Sequence, residues 1–173
     1  MTLLGTIRES DVYPDTVDAP DESYGNPREV VRVMLKDTEG KYGFIEYQSI
    51  HPGYLGVLGG GVDVGEAYEQ ALRREVREEA GCEMENIREL GVIHEYGVRH
   101  LLGARPKYAE RTLCFVADVL GPKGVPSYDA VEEKGRSRTV WLSLREAEKK
   151  FSAQEQGFSK HRAKILIDAT RKA

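Results

Sequence analysis

Three glutamates, Glu75, Glu78 and Glu79, stand at i, i+3 and i+4 in a segment that predicts a helix, so their side chains share one face. Ionised carboxylates this close repel one another and destabilise a helix unless a cation compensates them. They offer oxygen ligands, with no cysteine or histidine beside them, which favours a hard ion such as Mg²⁺ or Mn²⁺ over zinc. The alternative is a solvated charged face, the commoner reason for an acidic helix surface.

The helix that must position these glutamates is predicted over residues 66–80 and ends at Gly81, a typical residue beyond a helix C-terminus. An apolar stripe at i, i+4 and i+8 predicts its buried side and consists of Leu72, Val76 and Ala80. Leu58-Gly59-Gly60-Gly61 precedes the helix, and a glycine loop lets the backbone approach a phosphate or a metal closely. This context favours the ion-binding interpretation.

The segment from Gly60 to Cys82 resembles the signature of the Nudix (MutT-like) hydrolases. That signature is Gly, five residues, Glu, seven residues, Arg-Glu, an apolar residue, any residue, Glu-Glu, any residue, Gly and an apolar residue. The positions in register are Gly60, Glu66, Arg74, Glu75, Val76, Glu78, Glu79 and Gly81. Cys82 departs mildly from the usual Ile, Leu or Val, and Leu58 stands where a proline usually precedes the glycines.

The resemblance covers about residues 28–173 and implies an α/β fold, the Nudix α/β/α sandwich, in which helices flank a mixed β-sheet. It implies cleavage of a nucleoside diphosphate linked to another moiety. By the same resemblance, Glu75 and Glu79 would bind Mg²⁺, with Mn²⁺ as an alternative, and Glu78 would be a direct or water-bridged ligand. The carbonyl of Gly59 would complete the set.

The resemblance assigns supporting roles to two further residues. Arg74 would hold Glu75 by a charge-assisted hydrogen bond, and Glu66 would have a structural role near the helix start. The general base is placed variably in the family. The candidates here are Glu78 and the acids Asp129, Glu132 and Glu133 of a later loop, for which solvated charge is the alternative.

The candidate substrate-binding residues are Tyr54, Tyr96, Arg99, Arg105, Lys107 and Arg111. A tyrosine can stack on a nucleobase, although core packing is the commoner role for each one singly. The basic residues between 99 and 111 either capture phosphate or belong to a solvated hairpin loop. The sequence leaves these alternatives open.

Length and composition limit the remaining possibilities. The chain has 173 residues and a formal net charge of −4, which disfavours a stable nucleic-acid partner. Two cysteines are too few for a disulfide framework, and no apolar run of about 18 residues crosses a membrane. The N-terminus does not resemble a signal peptide. We expect a cytoplasmic protein with a small-molecule nucleotide as its partner.

The chain is expected to divide into an N-terminal arm with a short strand, residues 1–27, and a Nudix hydrolase domain, residues 28–173. The strand predicted near residues 3–9 should pair with a sheet edge of the same chain or of a second copy, which would make a homodimer. The predicted activity is hydrolysis of a pyrophosphate bond, in a nucleoside triphosphate first. A nucleoside diphosphate sugar or dinucleoside polyphosphate is the alternative substrate, and a nucleotide-binding regulator without catalysis is the non-enzyme alternative.

Overall fold

The computed structural model describes residues 1–48, 52–98, 107–127 and 138–173. Within these ranges the strands are β1 (Leu3–Arg8), β2 (Arg28–Lys36), β3 (Tyr42–Tyr47), β4 (Tyr54–Val57), β5 (Glu83–Val98), β6 (Lys107–Leu120) and β7 (Arg138–Leu142). The helices are α1 (Glu9–Val12), α2 (Tyr68–Ala80), α3 (Leu144–Ala153) and α4 (Phe158–Thr170), and a 3₁₀ turn covers Asp21–Tyr24.

The described strands form one mixed sheet in the order β1-β5-β6-β2-β3-β4, with β7 paired to β3. The β1–β5 and β2–β6 pairs are parallel, whereas β5–β6, β3–β4 and β3–β7 are antiparallel. Beyond β4 the chain runs along β2, where the N–H of Val33 donates to the carbonyl of Leu58 at 3.0 Å and the N–H of Val31 to that of Gly60 at 2.9 Å. The glycine segment is therefore fixed to the centre of the sheet before α2 begins.

Each face of the sheet carries its own apolar core. On one face, Leu72 and Val76 of α2 pack with Val31 and Val33 of β2, and all four side chains are buried. The core of the other face packs α3 and α4 onto the sheet and includes Met34, Phe44, Ile93, Cys114, Phe151 and Leu166. Alternation along β2 supplies both cores, because successive strand side chains point to opposite faces. The predicted α/β fold with a helix-flanked mixed sheet is confirmed.

The element boundaries follow the sequence with small corrections. Helix α2 begins at Tyr68, two residues later than predicted, because Ala67 before it has an extended backbone and its N–H donates to Gln70 at 3.0 Å. Its end is as predicted, since Gly81 adopts the left-handed conformation with φ 62°. The predicted cap of α3 is also present, because Ser143 accepts from the N–H of Glu146 at 3.2 Å.

The N-terminal arm is packed against its own chain. Strand β1 pairs in parallel with β5, so the edge that receives it belongs to the same molecule. Ile7 and Val12 are buried, and the ring of Tyr24 stacks edge-on against Tyr96 with centroids 5.4 Å apart. The division of the chain at residue 27 stays a prediction.

Candidate active site

The three glutamates of α2 share a side of the helix but not an environment. Glu75 and Glu79 are nearly buried, with 9% and 6% of their surface exposed. The side chain of Glu78 is 41% exposed. Burial of two carboxylates is costly unless each is hydrogen-bonded or paired with a cation. The partners of each glutamate therefore define the site.

Glu79 is held by the glycine segment. Its Oε2 accepts a hydrogen bond from the backbone N–H of Gly59 at 2.6 Å. Gly59 has φ +118°, and a Cβ there would overlap the carbonyl of Val31, so both its conformation and its surroundings require glycine. The peptide at Gly59 and the Glu79 carboxylate are thus adjacent.

Glu75 lies against the next glycine. A Cβ on Gly60 would overlap the Glu75 carboxylate, so glycine is what permits this close approach. Burial raises the pKa of Glu75, although the guanidinium of Arg74, which donates to its Oε1 at 2.7 Å, opposes that rise. The carboxylate is therefore partly desolvated and compensated by one arginine.

Arg74 connects the helix, the loop and the segment before the helix. It donates to Glu66 at 3.0 and 3.1 Å, to Glu75 at 2.7 Å, to Glu78 at 3.3 Å and to the Gly61 carbonyl at 2.9 Å. The hydrogen bonds to Arg74 hold the pKa of Glu66 below its ordinary value and raise the pKa of Arg74 itself. The hydrogen bond expected from Arg74 to Glu75 is present, whereas the roles of Arg74 in catalysis and of Glu66 in the structure stay predictions.

The donor set suits a hard divalent ion. Glu75, Glu78, Glu79 and the Gly59 carbonyl supply oxygen atoms alone, the ligands preferred by Mg²⁺ and Mn²⁺. In the conformation seen here, no three His, Cys, Asp or Glu side chains among the described residues converge into a ready-made metal-binding group. The glutamate oxygens are instead engaged by Arg74 and by the Gly59 N–H. Their assignment as ligands stays a prediction, and it requires these side chains to exchange partners.

A further residue at this site, Arg32 of β2, was missed by the sequence analysis. Its Nη1 donates to the carbonyl of Val57 at 3.0 Å and also contacts the carbonyl of Gly59. The signal that could have found it is the one charge within the apolar run VVRVML, because Arg32 shares a strand face with Val30 and Met34, both of which are buried.

A buried ion pair on the α4 face was also missed. Arg162 of α4 donates to both carboxylate oxygens of Glu95 at 2.5 and 2.7 Å, and the Glu95 side chain is fully buried. Glu110 lies 4.0 Å from the same guanidinium. No spacing rule connects two residues so far apart in the sequence, although Glu95 is the one acid in the largely apolar run GVIHEYGV.

The segment after β6 and the start of β7 are both bound to the C-terminal turn of α2. The N–H of Ser127 donates to the carbonyl of Glu78 at 2.8 Å, and the hydroxyl of Thr139 donates to that of Glu79 at 2.5 Å. The base candidates Asp129, Glu132 and Glu133 fall between these two anchors, outside the described residues.

The candidate substrate residues are dispersed. Tyr96 and Lys107 contact the N-terminal arm, since the Arg8 guanidinium lies 4.9 Å from the Tyr96 ring centroid and Lys107 donates to Ser23 at 3.0 Å. Arg111 instead binds Glu29 at 3.0 Å. Tyr54 lines a cavity of about 430 Å³ together with Lys150, Gln154 and Glu155. Arg99 and Arg105 lie outside the described residues. The four candidates that the structure describes are therefore not brought together at one place.

Comparison with known proteins identifies the family. The NUDIX domain profile matches residues 12–162, which is most of the chain. The chain therefore belongs to the NUDIX family, and the prediction of a hydrolase of this family is confirmed. A search of curated proteins gives no significant match.

Solved structures show the same fold. A NUDIX hydrolase from Nitrosomonas europaea has a TM-score of 0.60 at 20% identity, over 85% of this chain and 90% of that one. A MutT NUDIX hydrolase from Burkholderia pseudomallei has 0.54 at 21% identity, over 83% and 98%. A MutT protein from Methanosarcina mazei Go1 has 0.51 at 16% identity, over 86% and 96%. At these identities the likeness extends to the fold alone.

Proposed function

We propose that this protein is a divalent-metal-dependent hydrolase of a pyrophosphate bond in a small nucleotide, with a nucleoside triphosphate as the first-choice substrate. The observation that carries the proposal is the packing of the Glu75 and Glu79 carboxylates directly against Gly60 and Gly59. This packing places a cluster of hard oxygen donors against the backbone of two glycines, beside the C-terminal half of α2. Such an arrangement suits a cation and the phosphate oxygens that it neutralises.

Each residue has a distinct part in the proposed reaction. Glu75, Glu79 and the Gly59 carbonyl would hold Mg²⁺ or Mn²⁺, with Glu78 as a further direct or water-bridged ligand. The bound ion supplies charge neutralisation of the diphosphate and acidification of a water. Arg74 orients Glu75 through the 2.7 Å hydrogen bond. It also donates to Glu66 and to the Gly61 carbonyl, which holds both beside Glu75.

The proton from the attacking water needs an acceptor within hydrogen-bond reach. Glu78 is one candidate, because its side chain is 41% exposed and lies on the same helix face as Glu75. Glu132 and Glu133, with Asp129, are the others. Ser127 and Thr139 hold the chain on either side of these acids to the carbonyls of Glu78 and Glu79, which supports a role for the loop at this site.

Two other substrate classes fit the same chemistry, namely nucleoside diphosphate sugars and dinucleoside polyphosphates, because each contains the same anhydride. A nucleotide-binding regulator is the non-enzyme alternative. It is disfavoured by three intact carboxylates, since a protein that only binds an anion gains nothing from negative charge beside it.

We further propose a cytoplasmic location and no stable nucleic-acid partner, in keeping with the net charge of −4. Within the described parts of the chain, no helix combines the length and apolar character needed to cross a bilayer. A homodimer also remains a proposal. Because β5 already pairs with β1 of its own chain, a dimer would not form through that strand pairing.

The test is a product-release screen with the purified full chain. Nucleoside triphosphates, nucleoside diphosphate sugars and dinucleoside polyphosphates are each incubated with Mg²⁺, Mn²⁺ or EDTA, and the nucleotide products are separated by chromatography. We expect metal-dependent turnover of one class with a nucleoside monophosphate among the products. Turnover that persists in EDTA, or none in any class with either metal, would refute the proposal.

A further inference from the structure

Arg32 has an unusual position for a cation. It lies in β2 between Val31 and Val33 and pairs in register with the buried Cys114 of β6. Its side chain therefore shares the strand face that packs beneath α3 and α4, where Met34 is its apolar neighbour two residues along the strand. A charge on such a face is expensive unless specific contacts compensate it.

The contacts that Arg32 makes are to backbone carbonyls. Its Nη1 donates to the carbonyl of Val57 at 3.0 Å and to that of Gly59. Its Nε is buried and has no hydrogen-bond acceptor among the described residues. Burial lowers the pKa of Arg32, the Arg162 guanidinium lowers it further, and Glu79 and Glu95 oppose both effects. The guanidinium is thus charged, partly desolvated and short of one acceptor.

The carbonyl of Gly59 is the point at which Arg32 meets the proposed metal site. A carbonyl oxygen has two lone pairs, so it can accept from a guanidinium and face a second cation. Two cations at one oxygen repel each other strongly in a partly buried site. An anion beside them reverses this balance, because a diphosphate is attracted to both cations.

We propose that Arg32 couples divalent-metal binding to substrate binding: it weakens metal binding at the Gly59 carbonyl in the free protein and strengthens it when a diphosphate is present. The inference rests on the proposed function, because it takes the metal to use that carbonyl. Arg32 is a positioning residue in this scheme. The chemical class that it recognises is a diphosphate, the part shared by all the candidate substrates.

The test measures Mn²⁺ binding rather than turnover. The free-ion signal in electron paramagnetic resonance gives the Mn²⁺ affinity of the full chain, alone and with saturating methylenediphosphonate, a diphosphate that cannot be hydrolysed. Arg32→Met removes the charge and roughly keeps the length of the side chain. Arg32→Lys keeps the charge but lacks the planar guanidinium with its several N–H donors. Arg88→Met is the matched control, since Arg88 is a strand arginine whose Nη1 donates to the carbonyl of Ala173.

In the wild type we expect methylenediphosphonate to tighten Mn²⁺ binding about 10-fold or more, within the usual range of coupling between sites. Without diphosphonate, Arg32→Met should bind Mn²⁺ about 5-fold or more tighter than the wild type does. Methylenediphosphonate should raise the Mn²⁺ affinity of this variant by less than about 3-fold. Arg32→Lys should retain part of the coupling, and Arg88→Met should match the wild type. Thermal unfolding of each variant confirms that it is folded.

The inference is overturned if Arg32→Met shows wild-type Mn²⁺ affinity and wild-type coupling while Glu79→Gln loses Mn²⁺ binding. In that case the metal site stands and Arg32 has no part in it. If Glu79→Gln binds Mn²⁺ as the wild type does, the proposed metal site itself fails, and the role of Arg32 fails with it. The two results are distinguished by the Glu79 variant alone.

Discussion

The backbone N–H of Gly59 donates to the buried carboxylate of Glu79 at 2.6 Å, across 20 residues of sequence. This one hydrogen bond ties the end of the β4 segment to the last turn of α2. The carbonyl of the same residue, Gly59, contacts Arg32. The glycine segment, helix α2 and the central strand β2 therefore meet at one residue, Gly59, and a displacement of any one of them would alter its contacts with the other two.

The first prediction concerns the helix carboxylates. Glu79→Gln and Glu75→Gln each delete a charge without changing shape, and the amide oxygen introduced by Glu79→Gln can still accept from the Gly59 N–H. Loss of a metal ligand removes several kcal/mol of transition-state stabilisation, so kcat/KM should fall by about 10²-fold or more. Glu69→Gln is the control, because Glu69 lies on α2 but pairs with Arg73 in solvent. Full turnover by Glu79→Gln at saturating Mg²⁺ would contradict the assignment.

The second prediction concerns pH. The hydrogen bonds from Arg74 lower the pKa of Glu66 from its ordinary 4.5 in the folded state. The stabilisation that this carboxylate provides is therefore complete above pH 4.5 and is lost as the pH falls through the lower, folded-state pKa. Glu66→Gln should unfold at a lower temperature than the wild type at pH 7. The difference between the two unfolding temperatures should become smaller below about pH 4. A difference in unfolding temperature that stays constant from about pH 7 to about pH 3 would contradict the prediction.

The third prediction concerns the base. If the base lies in the loop between the Ser127 and Thr139 anchors, alanine at Glu132 or Glu133 should lower kcat by about 10²–10⁴-fold with little change in KM. Steady-state kinetics of the single variants, with Asp129→Ala beside them, test this. Normal kcat in all three variants would place the base at Glu78 or leave the metal-bound water without a protein base.

The fourth prediction concerns the N-terminal arm. Ile7 is 2% exposed and Leu3 is 56% exposed, although both belong to β1. Ile7→Ala should lower the free energy of unfolding by about 2–5 kcal/mol, the usual cost of this truncation in a core. Leu3→Ala should change it by less than about 0.5 kcal/mol. Urea unfolding measures both, and equal effects would mean that β1 is not packed as described.

Truncation at Asn26 extends the same prediction. Removal of β1 leaves the edge of β5 unpaired and strips Ile7 and Val12 from the core. We expect a destabilised protein that self-associates in sedimentation experiments, because an exposed strand edge is a template for pairing. Unchanged mass, stability and substrate preference would show that the arm contributes nothing.

The features that the sequence predicted correctly are those with a local signal. The end of α2 at Gly81 follows from the conformational freedom of glycine, and the cap at Ser143 from the spacing of Ser143 and Glu146. The buried stripe of Leu72, Val76 and Ala80 follows from the helical period. Each of these features depends on residues within about two turns of one another.

The features that the sequence missed depend on long-range register. Arg32 meets Gly59 because the chain after β4 runs beside β2, and Arg162 meets Glu95 because α4 crosses β5. Neither contact follows from a periodic pattern in the sequence. The N-terminal arm contacts Tyr96 and Lys107, and their role in substrate binding stays a prediction.

The two anchors on α2 have a consequence for how this chain tolerates changes in length. Ser127 and Thr139 attach to the carbonyls of consecutive helix residues, Glu78 and Glu79, so the chain leaves and rejoins the helix at nearly the same point. Closing a loop between fixed ends costs only about 0.6 kcal/mol more for each doubling of its length. The segment between the anchors can therefore be lengthened, shortened or exchanged at little cost in free energy while the carboxylates of α2 stay in place.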